Sequence, residues 1–223
     1  FALKMPVHLH VHSAFSFLDG AAYPEPLAER AAALGYEALA LTDHDNLCGA
    51  VRFLKAAKEA GIKPILGAEL TVHSPELRAQ RVLPIFASEE QDPAETCHIT
   101  LLAATRKGYE NLCRLITHGY EIGGWRTPAV PKELLMEHAD GLIALSGCRR
   151  GEISRLVLTG RYDAARAAAL WYRRVFGERF FIEIQRLLLP YENHLIHALA
   201  GISSDLGIPR SEEHTSELQS PNT

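Results

Sequence analysis

Three short apolar runs early in the chain stop at side chains that bind metal ions. They are Val7-His8-Leu9-His10-Val11-His12, then Ala38-Leu39-Ala40-Leu41 followed by Thr42-Asp43-His44-Asp45, and Pro64-Ile65-Leu66-Gly67-Ala68 followed by Glu69. Between them, residues 24–34 are rich in Ala and Leu and closed by Gly35, and residues 46–60 are closed by Gly61; both stretches predict helices. With strands at 5–11, 37–42 and 63–72, the first third of the chain reads βαβαβ. That is the pattern of a mainly parallel sheet covered by helices. Polar residues at successive strand ends are where an α/β barrel gathers its chemistry.

The alternation pauses at 74–95, where Pro75, Pro84 and Pro93 surround an apolar run at 82–87, predicting an excursion with one extra strand. It resumes at His98 with a strand at 99–103, a helix at 108–120, a glycine- and proline-rich turn at 123–131 and a short helix ending near 139. A strand at 141–145 runs into Ser146-Gly147-Cys148. Helices at 152–158 and 162–176, a strand at 180–185 and a helix at 191–206 follow, and Gly207-Ile208-Pro209 opens a further strand. A chain of 223 residues with 47% hydrophobic content builds one core more readily than two.

Each candidate ligand has a plainer reading beside the functional one. His10 and His12 stand two apart on a predicted strand, so both side chains leave one face, as a chelating pair requires. His8 shares their parity, and read alone it is a surface histidine or one standing behind the ligands. Asp19 precedes Gly20 and reads as a turn residue or a ligand. Asp43 reads as a helix cap or a site residue, but Asp45 or Asn46 is better placed to cap the helix, which leaves Asp43 and His44 for the site. Glu69, a carboxylate embedded in apolar sequence, requires a counter-charge or a metal once buried, and is the candidate bridge between two metals. His98 begins a strand and Cys148 ends one; each alone reads as structural. Arg149 and Arg150 attract phosphate near a cleft or start a solvated helix. No Walker loop, GxGxxG or GxSxG motif is present. Together the residues point to a metal-dependent α/β enzyme whose histidine, carboxylate and thiolate ligands suit zinc, with manganese favoured at the harder positions.

Charge and cysteine usage narrow the setting. With 27 acidic and 23 basic side chains the formal charge is −4, so the surface as a whole is not that of an autonomous nucleic-acid binder. Any polynucleotide is held locally or by a partner domain. Cys48, Cys97, Cys113 and Cys148 lack CxxC spacing and the density of a disulfide scaffold, which favours a reducing cytoplasm. No apolar run is long enough for a membrane span, and no basic leader precedes an apolar stretch.

Several separated motifs, in order, carry a resemblance. His10-Val11-His12-Ser13 with Phe17-Leu18-Asp19-Gly20, Ala40-Leu41-Thr42-Asp43-His44, Gly61-Ile62-Lys63-Pro64-Ile65-Leu66-Gly67-Ala68-Glu69, His98-Ile99-Thr100-Leu101-Leu102-Ala103 and Leu145-Ser146-Gly147-Cys148 resemble the PHP (polymerase and histidinol phosphatase) domain of bacterial DNA polymerase III alpha subunits. The resemblance covers residues 1–209. Gly108-Tyr109-Glu110-Asn111 and Ile182-Glu183-Ile184-Gln185 are similar to the polymerase branch rather than to stand-alone phosphatases, and Leu112-Cys113-Arg114-Leu115-Ile116-Thr117 is similar to the error-prone type. The family implies a distorted (β/α)7 barrel with up to three divalent metals, zinc or manganese. Carried over, it gives one metal to His10, His12 and Glu69, a second to Glu69, His98 and Cys148, and a third to Asp19 and His44. Asp43 has the catalytic role of orienting a ligand; Arg149 and Arg150, by their own charge and not by the resemblance, are the candidate substrate contacts. It implies 3′ phosphoester hydrolysis of DNA where every ligand is retained and a structural platform where ligands are lost. The implied partners are DNA, the remaining polymerase domains and replisome subunits.

From Arg210 the sequence changes character. Arg210 to Ser220 resembles the translation of a common sequencing-library adapter, so residues 210–223 are expected to be a non-native tail of low structural weight, and the domain to stop before its last ligand-bearing strand. The family places one Asp and one His ligand after such a Gly-Ile-Pro, which this tail does not supply.

Overall fold

The computed structural model describes residues 7–77, 95–187 and 192–214. Proline in its first turn and Gly35, at φ +81°, just past its end bracket helix α1 (Pro24–Ala33), which leads to strand β1 (Ala38–Leu41). Helix α2 (Ala50–Ala60) ends on left-handed Gly61 and feeds the long strand β2 (Lys63–His73). Leu27, Ala28 and Ala31 of α1 and Phe53, Ala56 and Ala57 of α2 pack against Leu39 and Leu41 in one buried cluster.

The rest of the chain is β3 (Thr96–Ala103), α3 (Arg106–Gly123), β4 (Val130–Pro131), α4 (Leu134–Glu137), β5 (Leu142–Leu145), α5 (Glu152–Leu158), α6 (Tyr162–Phe176), β6 (Phe180–Arg186), α7 (Glu192–Leu206) and β7 (Arg210–His214). The strands form a curled sheet in the order β1-β2-β3-β5-β6-β7, with β4 paired to β2. This is a mixed α/β half-barrel. Its larger core lies between the outer face of the sheet and helices α3, α5, α6 and α7.

The expected mainly parallel sheet holds for β1-β2, β5-β6 and β6-β7, but β3 runs antiparallel to both of its neighbours, β2 and β5. A parallel step needs a crossover helix. The described part of the β2 to β3 connection carries only a 3-10 turn at Pro75–Leu77, and the extra strand expected at 82–87 lies outside the described residues.

This reversal arranges the barrel interior. On the inward face, β2 presents Ile65, Gly67 and Glu69; β6 presents Phe181, Glu183 and Gln185; and β3, read backwards, presents Leu102, Thr100 and His98. Leu102 and Ile65 therefore join Ala40, Leu145, Ile143 and Phe181 in an apolar floor, while the polar ends gather above it. Ligands thus sit at the C-terminal ends of parallel strands and at the N-terminal end of the reversed one.

Three local expectations are corrected. Residues 7–11 form an isolated bridge, His8 to Leu39, instead of a ladder strand, held by Ala40 N–H to the His8 carbonyl (2.9 Å) and Thr42 N–H to the Val11 carbonyl (2.8 Å). The helix expected from residue 46 starts at Ala50, because Asp45 adopts φ +49° and the Asn46 side chain accepts from Cys48 N–H in a local turn (2.9 Å). Neither Asp45 nor Asn46 caps α2, whose cap position is Gly49, and the Asp45 carboxylate instead accepts from Thr71 N–H and Oγ–H (2.8 and 2.7 Å). Residues 210–214, expected to carry low structural weight, pair with β6 as the parallel strand that Gly207-Ile208-Pro209 is expected to open. A ladder is made by backbone groups, so the open edge of β6 accepts this segment whatever its side chains.

The same substitution has opposite effects at two glycines. A Cβ on Gly108, in the first turn of α3, would lie 1.9 Å from the Gly141 carbonyl oxygen, whereas one on Gly201, in α7, meets nothing within 4 Å. Gly108→Ala is expected to destabilise the protein by about 1–3 kcal/mol, and Gly201→Ala to stabilise it by roughly 0.5–1 kcal/mol. Urea unfolding of the two variants checks both signs.

Candidate metal centre

Glu69 sits where the polar ends of the strands converge, 1% exposed, and both its oxygens are faced by nitrogen or sulfur. Its Oε1 lies 3.5 Å from His10 Nε2, 3.2 Å from His98 Nδ1 and 3.2 Å from Cys148 Sγ. Its Oε2 lies 3.2 Å from His12 Nε2 and 2.9 Å from His44 Nε2. His44 Nε2 is also 3.0 Å from Asp19 Oδ2, and the Nε2 atoms of His10 and His12 are 3.2 Å apart.

Backbone geometry delivers each group. Val11 N–H donates to Thr42 Oγ1 at 3.0 Å, which fixes the segment bearing His10 and His12 against the end of β1. His44 bridges to Glu69 in parallel fashion, and Asp45 N–H reaches the Glu69 carbonyl at 2.9 Å. His98 bridges to Gly151 and its N–H reaches the Arg150 carbonyl at 3.0 Å, bringing the turn that carries Cys148 beside it. Gly147 makes that turn at φ +85°, and a Cβ there would stand 2.6 Å from the His98 carbonyl oxygen.

Three ligand triads result: His10, His12 and Glu69; His12, Asp19 and His44; and His44, Glu69 and His98, with the donor atoms of each triad all within 4.8 Å of one another. Each pair of triads shares one residue, so the set closes into a ring through His12, His44 and Glu69. Cys148 joins at the His98 corner, its sulfur 3.8 Å from His98 Nδ1. Imidazoles, carboxylates and a thiol so placed fit divalent metal ions.

Without metal the cluster balances its charge through protons. Burial pushes the His10 pKa down, but the Glu183 and Glu69 carboxylates more than reverse this and hold it well above the usual histidine value. Burial likewise pushes Glu69 up, yet the charges of His98 and His10 and the hydrogen bonds of His10 and His12 keep it well below the usual range. His44 is raised, the carboxylates of Glu69, Asp45 and Asp19 outweighing its burial. Burial, then the Glu69 charge, pushes the Cys148 thiol up.

Of the residues singled out from sequence, His10, His12, Asp19, His44, Glu69, His98 and Cys148 come together in the structure. Asp43, read as catalytic, stands outside the cluster. Its carboxylate accepts from Ser13 N–H, Ser13 Oγ–H and Ser16 Oγ–H, each at 2.7 Å, and Ser16 Oγ in turn accepts from His44 N–H at 3.0 Å. Asp43 therefore acts on His44 through the loop and touches no converging atom. Arg149 and Arg150 lie half-buried in the turn after Cys148, with Arg150 N–H donating to its sulfur at 3.4 Å. His8 leaves the site, meeting the Tyr36 hydroxyl at 2.9 Å, because strand parity does not apply to an irregular segment.

Glu183 was not among the candidate ligands. It is 1% exposed, and its Oε1 accepts from His10 Nδ1–H at 2.7 Å and from Gln185 Nε2–H at 2.7 Å, leaving His10 Nε2 toward the cluster. The argument that singled out Glu69, a carboxylate in an apolar strand, applies equally to Ile182-Glu183-Ile184. Glu183→Gln is expected to weaken metal binding about 10–100-fold by calorimetric titration. Because His10 and His44 hold protons above the ordinary histidine range and a ligating imidazole must be neutral, uptake releases protons. Metal affinity is thus expected to rise as pH increases above the ordinary histidine range, where these raised imidazoles lose their protons, and calorimetric titration at a series of pH values checks it.

The PHP domain model matches residues 8–187. An error-prone DNA polymerase of Symbiobacterium thermophilum is 45% identical over 219 residues, covering 91% of this chain and 18% of that protein. The DNA polymerase III alpha subunits of Deinococcus radiodurans and Escherichia coli K12 are 43% and 39% identical, covering 92% and 91% of this chain and 15% and 16% of theirs. The chain thus spans less than a fifth of the length of these relatives. Among solved structures, a Bifidobacterium adolescentis protein provisionally described as a metal-dependent phosphoesterase aligns with TM-score 0.53 at 16% identity, covering 93% of this chain and 86% of that one. An amidohydrolase from Chromobacterium violaceum aligns with TM-score 0.54 at 18% identity, covering 96% and 89%. Those structures share its fold, and the sequence match over most of its length settles its kinship: the chain belongs to the PHP domain family, in the form found in bacterial DNA polymerase III alpha subunits.

Proposed function

We propose that this chain is the PHP portion of a bacterial polymerase III alpha or error-prone polymerase, and that its ligand ring serves metal-dependent hydrolysis of phosphoesters at DNA 3′ ends, a 3′-5′ exonuclease activity of the proofreading type. The observation that carries the reading is Glu69, a buried carboxylate with both oxygens faced by imidazoles. A platform without chemistry has no need to bury so many ionisable groups around one atom pair. The polymerase relatives supply the substrate class, and nucleotide addition belongs to domains outside these residues.

His10, His12, Asp19, His44, Glu69, His98 and Cys148 would hold up to three divalent ions, zinc or manganese. When bound, such ions lower the pKa of water and neutralise charge on the leaving oxygen. The residues themselves fix geometry: Glu69 spans two corners of the ring, Glu183 orients His10, and Asp43 holds the Ser16 loop against His44. Arg149 and Arg150, beside Cys148, would meet the phosphate. The family pattern places one Asp and one His ligand after residue 209, where this sequence reads Arg210-Ser211-Glu212-Glu213. Hydrolysis by these residues alone is therefore expected to be slow. DNA would reach the site through the full polymerase, whose other domains and replisome subunits are the expected partners, in the bacterial cytoplasm. Among the described residues no helix is long and apolar enough to cross a membrane.

The test is the metal content of the purified chain by atomic emission, with nucleotide release from a 3′-labelled DNA strand. About two to three equivalents of metal, with slow release that Glu69→Ala abolishes, are expected. A well-folded chain holding no metal and releasing nothing would leave the domain as a structural platform of the polymerase. Release confined to a small phosphomonoester would favour a phosphatase.

A further inference from the structure

The turn that carries Asp19 also holds two large apolar side chains out in solvent: Phe17 is 86% exposed and Leu18 81%. Leu18 adopts φ +70°, a left-handed conformation that L side chains other than Asn and Asp rarely take. A mobile tip would relax out of it, but this tip is clamped. On one side Ser16 Oγ–H donates to Asp43 (2.7 Å) while its oxygen accepts from His44 N–H (3.0 Å); on the other, Asp19 Oδ2 meets His44 Nε2 at 3.0 Å. Asp19 and Gly20 N–H both return to the Ser16 carbonyl, at 3.0 and 2.9 Å, closing the turn on itself. The backbone of Gly20 passes so near Ser13 that a Cβ would lie 1.9 Å from its carbonyl oxygen. Behind the turn, Phe15 and Tyr23 meet edge to face, and the Arg52 guanidinium lies 5.6 and 4.8 Å from their ring centroids while Glu25 holds it at 2.6 and 2.8 Å.

We propose that Phe17, with Leu18 beside it, is a stacking wedge for the nucleobase at the strand end being hydrolysed. Strain held at a functional loop points to a shape kept for contact, and here both ends of the turn are fastened to His44, one of the ring residues. Two residues of chain reach at most about 7 Å, so the backbone that carries Phe17 is tied within that span of Asp19, a separation one nucleotide can bridge. An aromatic face accepts any base, because every base has a π-face. Such tolerance suits a site that meets whichever nucleotide ends the strand. The proposal rests on the reading of the site as a DNA 3′-end phosphoesterase.

The test measures binding by fluorescence anisotropy, using the full chain with manganese or with chelator. The probes are a single-stranded oligonucleotide with an ordinary 3′ nucleotide and the same strand ending in an abasic one. The expected result is manganese-dependent binding about tenfold tighter for the base-ended strand. Phe17→Ala should bring its affinity down to that of the abasic strand, and Phe17→Trp should keep the preference. If binding depends on manganese and on Glu69 but the two strands bind alike, or if the preference survives in Phe17→Ala, the wedge is overturned while the site reading stands. If neither strand shows manganese-dependent binding, the site reading fails and takes the wedge with it.

Discussion

Burying a single carboxylate sets the terms for the rest of this structure. Glu69 is withdrawn from water on the inner face of β2, where an unpaired charge would cost several kcal/mol. Nothing on β2 itself compensates it. The partners come from the segment before β1, the loop after it, the start of β3 and the turn after β5. These segments are far apart in sequence, so the site exists only once the sheet has curled. The apolar floor of Ile65, Leu102, Leu145 and Phe181 keeps the inner strand faces packed beneath the charges. Pairing β2 with β3, β3 with β5 and β5 with β6 in register then lifts Glu69, Thr100 and Glu183 above that floor.

The register explains both what the sequence disclosed and what it concealed. Apolar runs ending in polar residues located β1, β2, β5 and β6, because such runs must be buried and polar groups at their ends need not be. Strand direction left no such trace. His98 lies near the start of its strand, Glu69 past the middle of β2 and Cys148 beyond the end of β5, and only the antiparallel pairing of β3 with β2 and β5 brings them to one rim. The connection at 74–95, expected as an excursion with one extra strand, carries a 3-10 turn in its described part.

Local misreadings have a common physical source. Periodicity assumes a regular element, and the site is built where elements stop. His8 shares the parity of His10 and His12, yet its segment makes one bridge and its ring meets Tyr36. Residues 46–49 carry helical composition, but Asp45 spends its carboxylate on Thr71, across the sheet, and takes a left-handed backbone that delays α2 to Ala50. Asp43, expected to orient a ligand rather than to be one, touches none of the converging atoms. Its three hydrogen bonds to Ser13 and Ser16 show a loop organiser whose effect on His44 passes through the Ser16 hydroxyl. Glu183 is legible by the same burial argument as Glu69, but its partner, His10, is 173 positions away in sequence.

The ring of shared residues also bears on how a family of this kind can keep its fold while its chemistry changes. In the metal-free state the carboxylates of Glu69 and Glu183 are answered by protons on the imidazoles, with His10 raised and Glu69 lowered by their mutual presence. Metal ions would answer the same carboxylates with greater charge and would require those protons to leave. The two states therefore compete for one set of atoms and place the same demand on the surrounding strands: hold the imidazoles within about hydrogen-bond distance of Glu69. Hydrogen bonds from Val11 N–H to Thr42 and from His10 to Glu183, and the Asp43–Ser16 loop, meet that demand without reference to a metal. A geometry so fixed is preorganised for ligation, which spares the ions most of the cost of assembling their own site. The same fixity lets ion pairs and hydrogen bonds alone satisfy the buried carboxylates, while the apolar cores hold the half-barrel together.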